Sequence, residues 1–141
     1  MVTRRPEFAY SNVVNALGKA RLYVTDRDGH AVRRPIQNAY YPRFSPDGRT
    51  IAFTNERGVY LISSTAGSRK RIATWGTTWW DDAEGSRIAW SRDGQRIAVI
   101  MRDEGTILLL DLKTGRRERV RLPHPLCARP YRSCSDLDWY S

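Results

Sequence analysis

The chain has 141 residues, a formal net charge of +9 and 40% hydrophobic residues. That length can bury a real core, and the mix of apolar and charged residues excludes a disordered tail. No apolar run, Ile107–Leu110 included, is long enough to cross a bilayer, and "MVTRRPEFAYS" lacks the apolar stretch of a secretory leader.

In chain order, the first elements are short and alternate apolar with polar residues. "EFAYSN" (Glu7–Asn12) and "ARLYVTDRDG" (Ala20–Gly29) read as strands, the second ending in a Gly turn, and "HAVRRPI" (His30–Ile36) reads as a third. "FSPDGRTIAF" (Phe44–Phe53) then gives two strands around an Asp-Gly turn, followed by "GVYLISSTAG" (Gly58–Gly67) and the basic strand "SRKRIATW" (Ser68–Trp75). The same course repeats in "WSRDGQRIAV" (Trp90–Val99), "GTILLLDLKTG" (Gly105–Gly115) and "RRERVRLP" (Arg116–Pro123). The matching turn residues Asp47 and Asp93 lie 46 positions apart. The last stretch, "SDLDWYS" (Ser135–Ser141), aligns Trp139 with Trp90 and Phe44. With strand positions lettered a to d, the chain reads b-c-d, a-b-c-d, a-b-c-d, a. No segment has helical periodicity with caps.

The repeat resembles the TolB-like, WD-repeat-like β-propeller family, whose blades run aromatic-Ser-Pro-Asp-Gly, a short apolar strand, then an apolar strand ending in a Gly turn. "FSPDGRTIAF" carries the match; "WSRDGQRIAV" departs by Arg92 in place of Pro. The same blades occur in the non-catalytic propellers of prolyl-oligopeptidase-like peptidases. The resemblance implies an all-β propeller of four-stranded antiparallel blades. It implies one half-ring domain over 1–141, with b-c-d of the first blade at 7–36, the second blade at 40–75 and the third at 86–123. The b and c strands should be buried on both faces, and Phe44, Trp90 and Trp139 should enter the contacts between blades. The TolB likeness suggests a periplasmic protein, whereas the lack of a leader suggests a cytoplasmic one.

Three blades do not close a ring, since propellers have about four to eight. The expectation is a homodimer, in which the a strand at 135–141 of one copy completes the first blade of the other and two copies make six blades. Phe8, Tyr10, Leu137 and Trp139 would form this strand-exchange closure. The alternative is a fragment of a longer TolB-like or peptidase-like protein.

Function should sit on the loop-bearing face. There "WGTTWWDDAEG" places Trp75, Trp79 and Trp80 beside Asp81, Asp82 and Glu84, a composition suited to anchoring a protein or peptide partner. Tyr40, Tyr41, Arg102, Asp103 and Tyr131 lie in neighbouring loops and complete the candidate surface. Of the 24 basic residues, 21 are arginine. Arg33, Arg34, Arg69, Lys70, Arg71, Arg116, Arg117, Arg119 and Arg121 fall on d strands, where charge protects an exposed edge. Binding of RNA or DNA by this surface is the alternative.

No nucleophile stands with a base, and no phosphate loop or metal-ligand spacing occurs, so neither enzyme activity, cofactor nor metal is expected. His30 and His124 read as surface residues. Cys127 and Cys134 fit either a loop disulfide or two reduced thiols.

Overall fold

The structure, a computed structural model, describes residues 4–13, 19–74, 88–101, 106–123 and Trp139, with side chains omitted at Val13 and Met101. These residues form three antiparallel sheets and no helix. The first sheet holds β1 (Phe8–Val13), β2 (Ala20–Thr25) and β3 (Ile36–Gln37), in that spatial order. The second holds β4 (Tyr40–Phe44), β5 (Thr50–Asn55), β6 (Gly58–Ser63) and β7 (Lys70–Thr74). The third holds β8 (Ile88–Trp90), β9 (Arg96–Met101), β10 (Thr106–Asp111) and β11 (Arg117–Arg121). Sequential strands are spatial neighbours throughout, so the second and third sheets are complete a-b-c-d blades and the first is b-c-d. The chain divides into two compact units, Met1–Thr78 and Trp79–Ser141.

The a–b hairpins are built by the Ser-x-Asp-Gly turns. Ser45 Oγ donates to Asp47 Oδ1 at 2.6 Å and accepts the Thr50 amide at 3.0 Å, while Asp47 Oδ1 also accepts the Arg49 amide at 3.0 Å. Ser91, Asp93, Gln95 and Arg96 repeat the arrangement at 2.6, 3.0 and 2.9 Å. Gly48 and Gly94 close the turns at φ 71° and 72°, where a side chain is strained. The Ser45 hydroxyl, then the Arg49 amide, hold the Asp47 carboxyl below the usual carboxylate range; Ser91 and Gln95 do the same for Asp93. Arg92 replaces the proline of the first motif without changing the turn, because that position contributes no hydrogen bond to it.

In the first unit, one core joins two blades. Leu22, Val24 and Ile36 from the first blade cluster with Ile51, Phe53, Tyr60 and Ile62 from the second, and Ala9 and Phe44 pack against them. Burying side chains of this size stabilises by about 1.5–3 kcal/mol each. In β5 the alternation is lost, as expected of a strand covered on both faces: Ile51, Ala52 and Phe53 are all 0% exposed. In the second unit β10 departs from that expectation, since Ile107, Leu109 and Asp111 are only half-buried while Thr106, Leu108 and Leu110 are buried. One of its faces lacks a full cover.

Two expectations need correction. The third strand is not His30–Ile36 but the short β3, preceded by an isolated bridge between Thr25 and Ala31. Pro35 has no amide to donate, and Arg33 turns away toward the second blade. Nor are all the d-strand arginines edge protection. The Arg33 guanidinium donates to the carbonyls of Ser63 and Gly67, and Arg69 donates to those of Gln37 and Asn38. Arg69 also lies 5.2 Å from the Phe53 ring centroid and 5.5 Å from that of Tyr60. These two arginines clamp the blades of the first unit together. Burial lowers the pKa of Arg33, which stays a cation. Edge protection fits β11, whose five residues are all exposed.

Candidate binding surface

The site begins with a strand that has a free side. β1 pairs only with β2, from Phe8↔Thr25 to Val13↔Ala20, and among the described residues no strand pairs with its other edge. Unpaired amides and carbonyls in a row are a template for another strand. Tyr10 and Tyr23 stack across β1 and β2, with centroids 5.4 Å apart and an interplanar angle of 20°. Phe53 and Tyr60 form the matching pair in the second blade at 5.3 Å and 8°. The blade 2 pair is buried, whereas Phe8 is 53% and Tyr10 49% exposed.

Beside this edge lies a groove of about 350 Å³, lined by Ala9, Tyr10 and Ser11 of β1 and by Tyr40, Tyr41 and Arg43 of β4. Its far wall is a β-bulge. Tyr40 pairs with Thr54 and Arg43 with Ala52, so β4 carries an extra residue between them. Tyr41 takes up the irregularity at φ 52°, a left-handed conformation that costs a non-glycine residue about 1–2 kcal/mol. Pro42 suits the bulge because it has no amide to leave unpaired. The groove is held from below: the Ala20 amide donates to Tyr40 Oη at 3.2 Å, and Ser11 Oγ donates to the Ala39 carbonyl at 2.9 Å. A bulge of this kind re-aims the side chains beside it. Next to the groove, Asn38 (φ 50°) donates through Nδ2 to both Glu56 oxygens at 2.7 and 2.8 Å, which fixes the linker between β3 and β4.

Tyr10, Tyr40 and Tyr41 therefore line one groove, although the sequence assigns them to different tasks; Phe8 is exposed on the same strand as Tyr10 but does not line it. Tyr40 and Tyr41 are not loop residues but part of β4. Arg43, Ala9 and Ser11 escape sequence reasoning; the only signal for them is their register beside aromatic residues. In the second unit, Trp139 lies with its ring centroid 5.0 Å from the Arg96 guanidinium. The remaining expected site residues (Trp75, Trp79, Trp80, Asp81, Asp82, Glu84, Arg102, Asp103, Tyr131 and Leu137) lie outside the described residues, as do Cys127, Cys134 and His124.

One polar cluster lies apart. Asp26, Asp28 and His30 bring ligand-type atoms within 4.8 Å of one another. Asp26 Oδ1 already accepts the Asp28 and His30 amides at 3.0 and 2.9 Å, and Oδ2 lies 3.6 Å from Arg4 Nε. Burial raises the Asp26 pKa, but those amides, with His30 and Arg4, outweigh it and hold the carboxyl low. Its geometry is that of a turn. Among the described residues no helix is long and apolar enough to cross a membrane.

Known structures share this architecture. TolB from Acinetobacter baumannii superposes with a TM-score of 0.58 at 22% identity, over 79% of this chain and 29% of that one. The β-propeller domain of the Trilobed protease from Pyrococcus furiosus, described as having an open velcro topology, gives 0.60 at 21% identity, over 83% and 44%. Acylaminoacyl peptidase from Pyrococcus horikoshii gives 0.54 at 16% identity, over 81% and 25%. The chain thus spans less than half the length of each. No curated protein matches it in sequence. The family model for the dipeptidyl peptidase IV (DPP IV) N-terminal region matches residues 8–119. With three antiparallel sheets in blade order and these relatives in fold, the chain belongs to the DPP IV N-terminal region family and is a TolB-like β-propeller.

Proposed function

We propose that the chain is a non-catalytic propeller module that serves as a protein- or peptide-binding scaffold and assembles as two copies into a six-bladed ring. The observation that carries this reading is the open edge of β1, with Phe8 53% and Tyr10 49% exposed beside the tyrosine-lined groove. An extended segment added there would satisfy the backbone groups of β1 and cover both side chains, which is how sheet edges take peptides. A second copy is one possible donor, because a two-fold axis lets two copies offer each other the same edge. Light scattering on a size-exclusion column tests it. A species at twice the 16.3 kDa chain mass is expected, and a stable monomer at micromolar concentration would overturn the assembly.

The stretch 75–87 is the proposed contact for other partners, through Trp79 and Trp80. Unchanged affinity for a captured partner after Trp79→Ala with Trp80→Ala would remove that assignment. A second reading is favoured by the coverage of the relatives: the chain matches 44% or less of each. In that reading it is one section of a larger peptidase-like or TolB-like propeller. The strand that completes β1 would then come from elsewhere in the same polypeptide, and the coding sequence on either side would contain further blades.

A further inference from the structure

We infer that β1 accepts an extended peptide of another protein with the pattern aliphatic-x-aromatic-Ser, antiparallel to β1, its aromatic residue opposite Phe8 and its aliphatic residue opposite Tyr10. The inference rests on the reading of β1 as an edge that takes an extended segment, and it names the chemistry of that segment.

The pattern comes from the equivalent edges of the two complete blades. The b strands "FAY", "IAF" and "IAV" place Phe8, Ile51 and Ile97 at one position, Ala9, Ala52 and Ala98 at the next, and Tyr10, Phe53 and Val99 at the third. At the first position the a strand brings an aromatic residue: Phe44 pairs with Ile51 and Trp90 with Ile97. At the second the partner varies, Arg43 in one blade and Ala89 in the other. At the third, β8 sets Ile88 against Val99, whereas the bulge in β4 interrupts the pairing there. The residue after the aromatic is serine in both blades, and its amide donates to the carbonyl of Thr50 at 2.8 Å or of Arg96 at 2.9 Å. Glu7 holds the corresponding position before β1.

Both faces of β1 suit such a strand. Ala9 packs on the core shared with the second blade, so Phe8 and Tyr10 point the other way, where both are exposed. Residues opposed on paired strands share a face. The aromatic side chain of the peptide therefore lies over Phe8, and the aliphatic one over the stacked Tyr10–Tyr23 pair. The intervening residue stands opposite Ala9, beside the groove lined by Tyr40, Tyr41 and Pro42. Ala9 belongs to that groove and also packs on the shared core, so the peptide site continues the interface between the first two blades. Charge selects the rest of the ligand. Residues 1–74 carry 13 Lys and Arg against five Asp and Glu. Beyond its serine an antiparallel peptide runs past Glu7 toward the exposed Arg5, which favours an acidic residue there. β1 offers one such edge, so the peptide and a second copy exclude each other.

The probe is the labelled peptide Ile-Ala-Trp-Ser-Arg-Asp-Gly, a copy of residues 88–94, titrated into the chain and followed by fluorescence anisotropy and amide hydrogen exchange. Saturable binding is expected, with the amides of residues 8–13 protected and those of 117–121 unchanged. A peptide with Ala in place of Trp should bind about tenfold more weakly, as should the native peptide to Phe8→Ser or Tyr10→Ser. Val120→Ser, on the exposed strand β11, should leave binding unchanged. Replacing the peptide's Asp by Asn should weaken binding about threefold at low salt, and no change would remove the Arg5 contact. A shuffled peptide that binds as tightly and still protects β1 would overturn the pattern and leave the edge reading intact. Absence of binding by either peptide, or protection away from β1, would overturn both.

Discussion

β5 and β1 occupy the same position in successive blades, yet one is the best-buried strand in its unit and the other among the most exposed. Ile51 and Phe53 are 0% exposed; their counterparts Phe8 and Tyr10 are 53% and 49% exposed. Each strand has a central alanine, a stacked cross-strand aromatic pair and a c strand alongside. The difference is what surrounds them. β5 has β4 on its outer edge and the first blade against its face, whereas no described strand or blade stands in either place at β1. In a repeat protein each unit buries its apolar face only against the next, so exposed aromatics at a repeat position mark an unoccupied place.

The sharpest way to break this comparison is to truncate both aromatics. Phe53→Ala should lower folding stability by about 3–5 kcal/mol, as a large cavity in a sealed core does. Tyr10→Ala should cost only about 1 kcal/mol within one copy, roughly the worth of the aromatic pair, and should act mainly on the proposed dimer. Urea midpoints for the two variants, with light scattering for each, separate these outcomes. Equal losses of stability would mean that Tyr10 is sealed in its own chain.

Next in size is the clamp that encloses β5. Arg69→Leu removes the bonds to the Gln37 and Asn38 carbonyls and the contact with two rings, and should cost about 1–2 kcal/mol. The change should leave β11 untouched, which hydrogen exchange can check. Tyr41→Gly should act in the opposite sense. Relief of the φ 52° conformation offsets the lost ring, so stability should stay level or rise by up to about 1 kcal/mol, while partner binding at the groove weakens.

The smallest effect is acidic. Asp47 and Asp93 have folded pKa values below their unfolded ones, near 3.9. The stability they add is complete above that value and is lost as pH falls through the lower folded pKa. Asp47→Asn with Asp93→Asn should therefore flatten the acid limb of stability between about pH 5 and pH 2.

The sequence shows the blades clearly and the site only in part. Repeated Ser-x-Asp-Gly turns place β4, β5, β8 and β9, because a turn is local chemistry that needs no knowledge of its surroundings. The short β3 was not visible, since Arg33 leaves the strand direction to reach carbonyls some 30 residues away in sequence. For the same reason, composition alone assigns Arg33 and Arg69 to a solvated edge. Tyr40 and Tyr41 are legible as aromatic candidates, but the bulge that turns them toward β1 depends on pairing with β5. The repeat marks Phe8 and Tyr10 as candidates for closure, and the structure shows both exposed on β1, whose second edge no described strand pairs.

The most direct measurement is amide hydrogen exchange along β1 and β5 at low and high protein concentration. β5 should be protected at both. Protection of residues 8–13 should rise toward that of β5 as concentration increases, because the edge amides become paired when a second copy binds. Exchange at β1 that stays fast and independent of concentration would contradict the account.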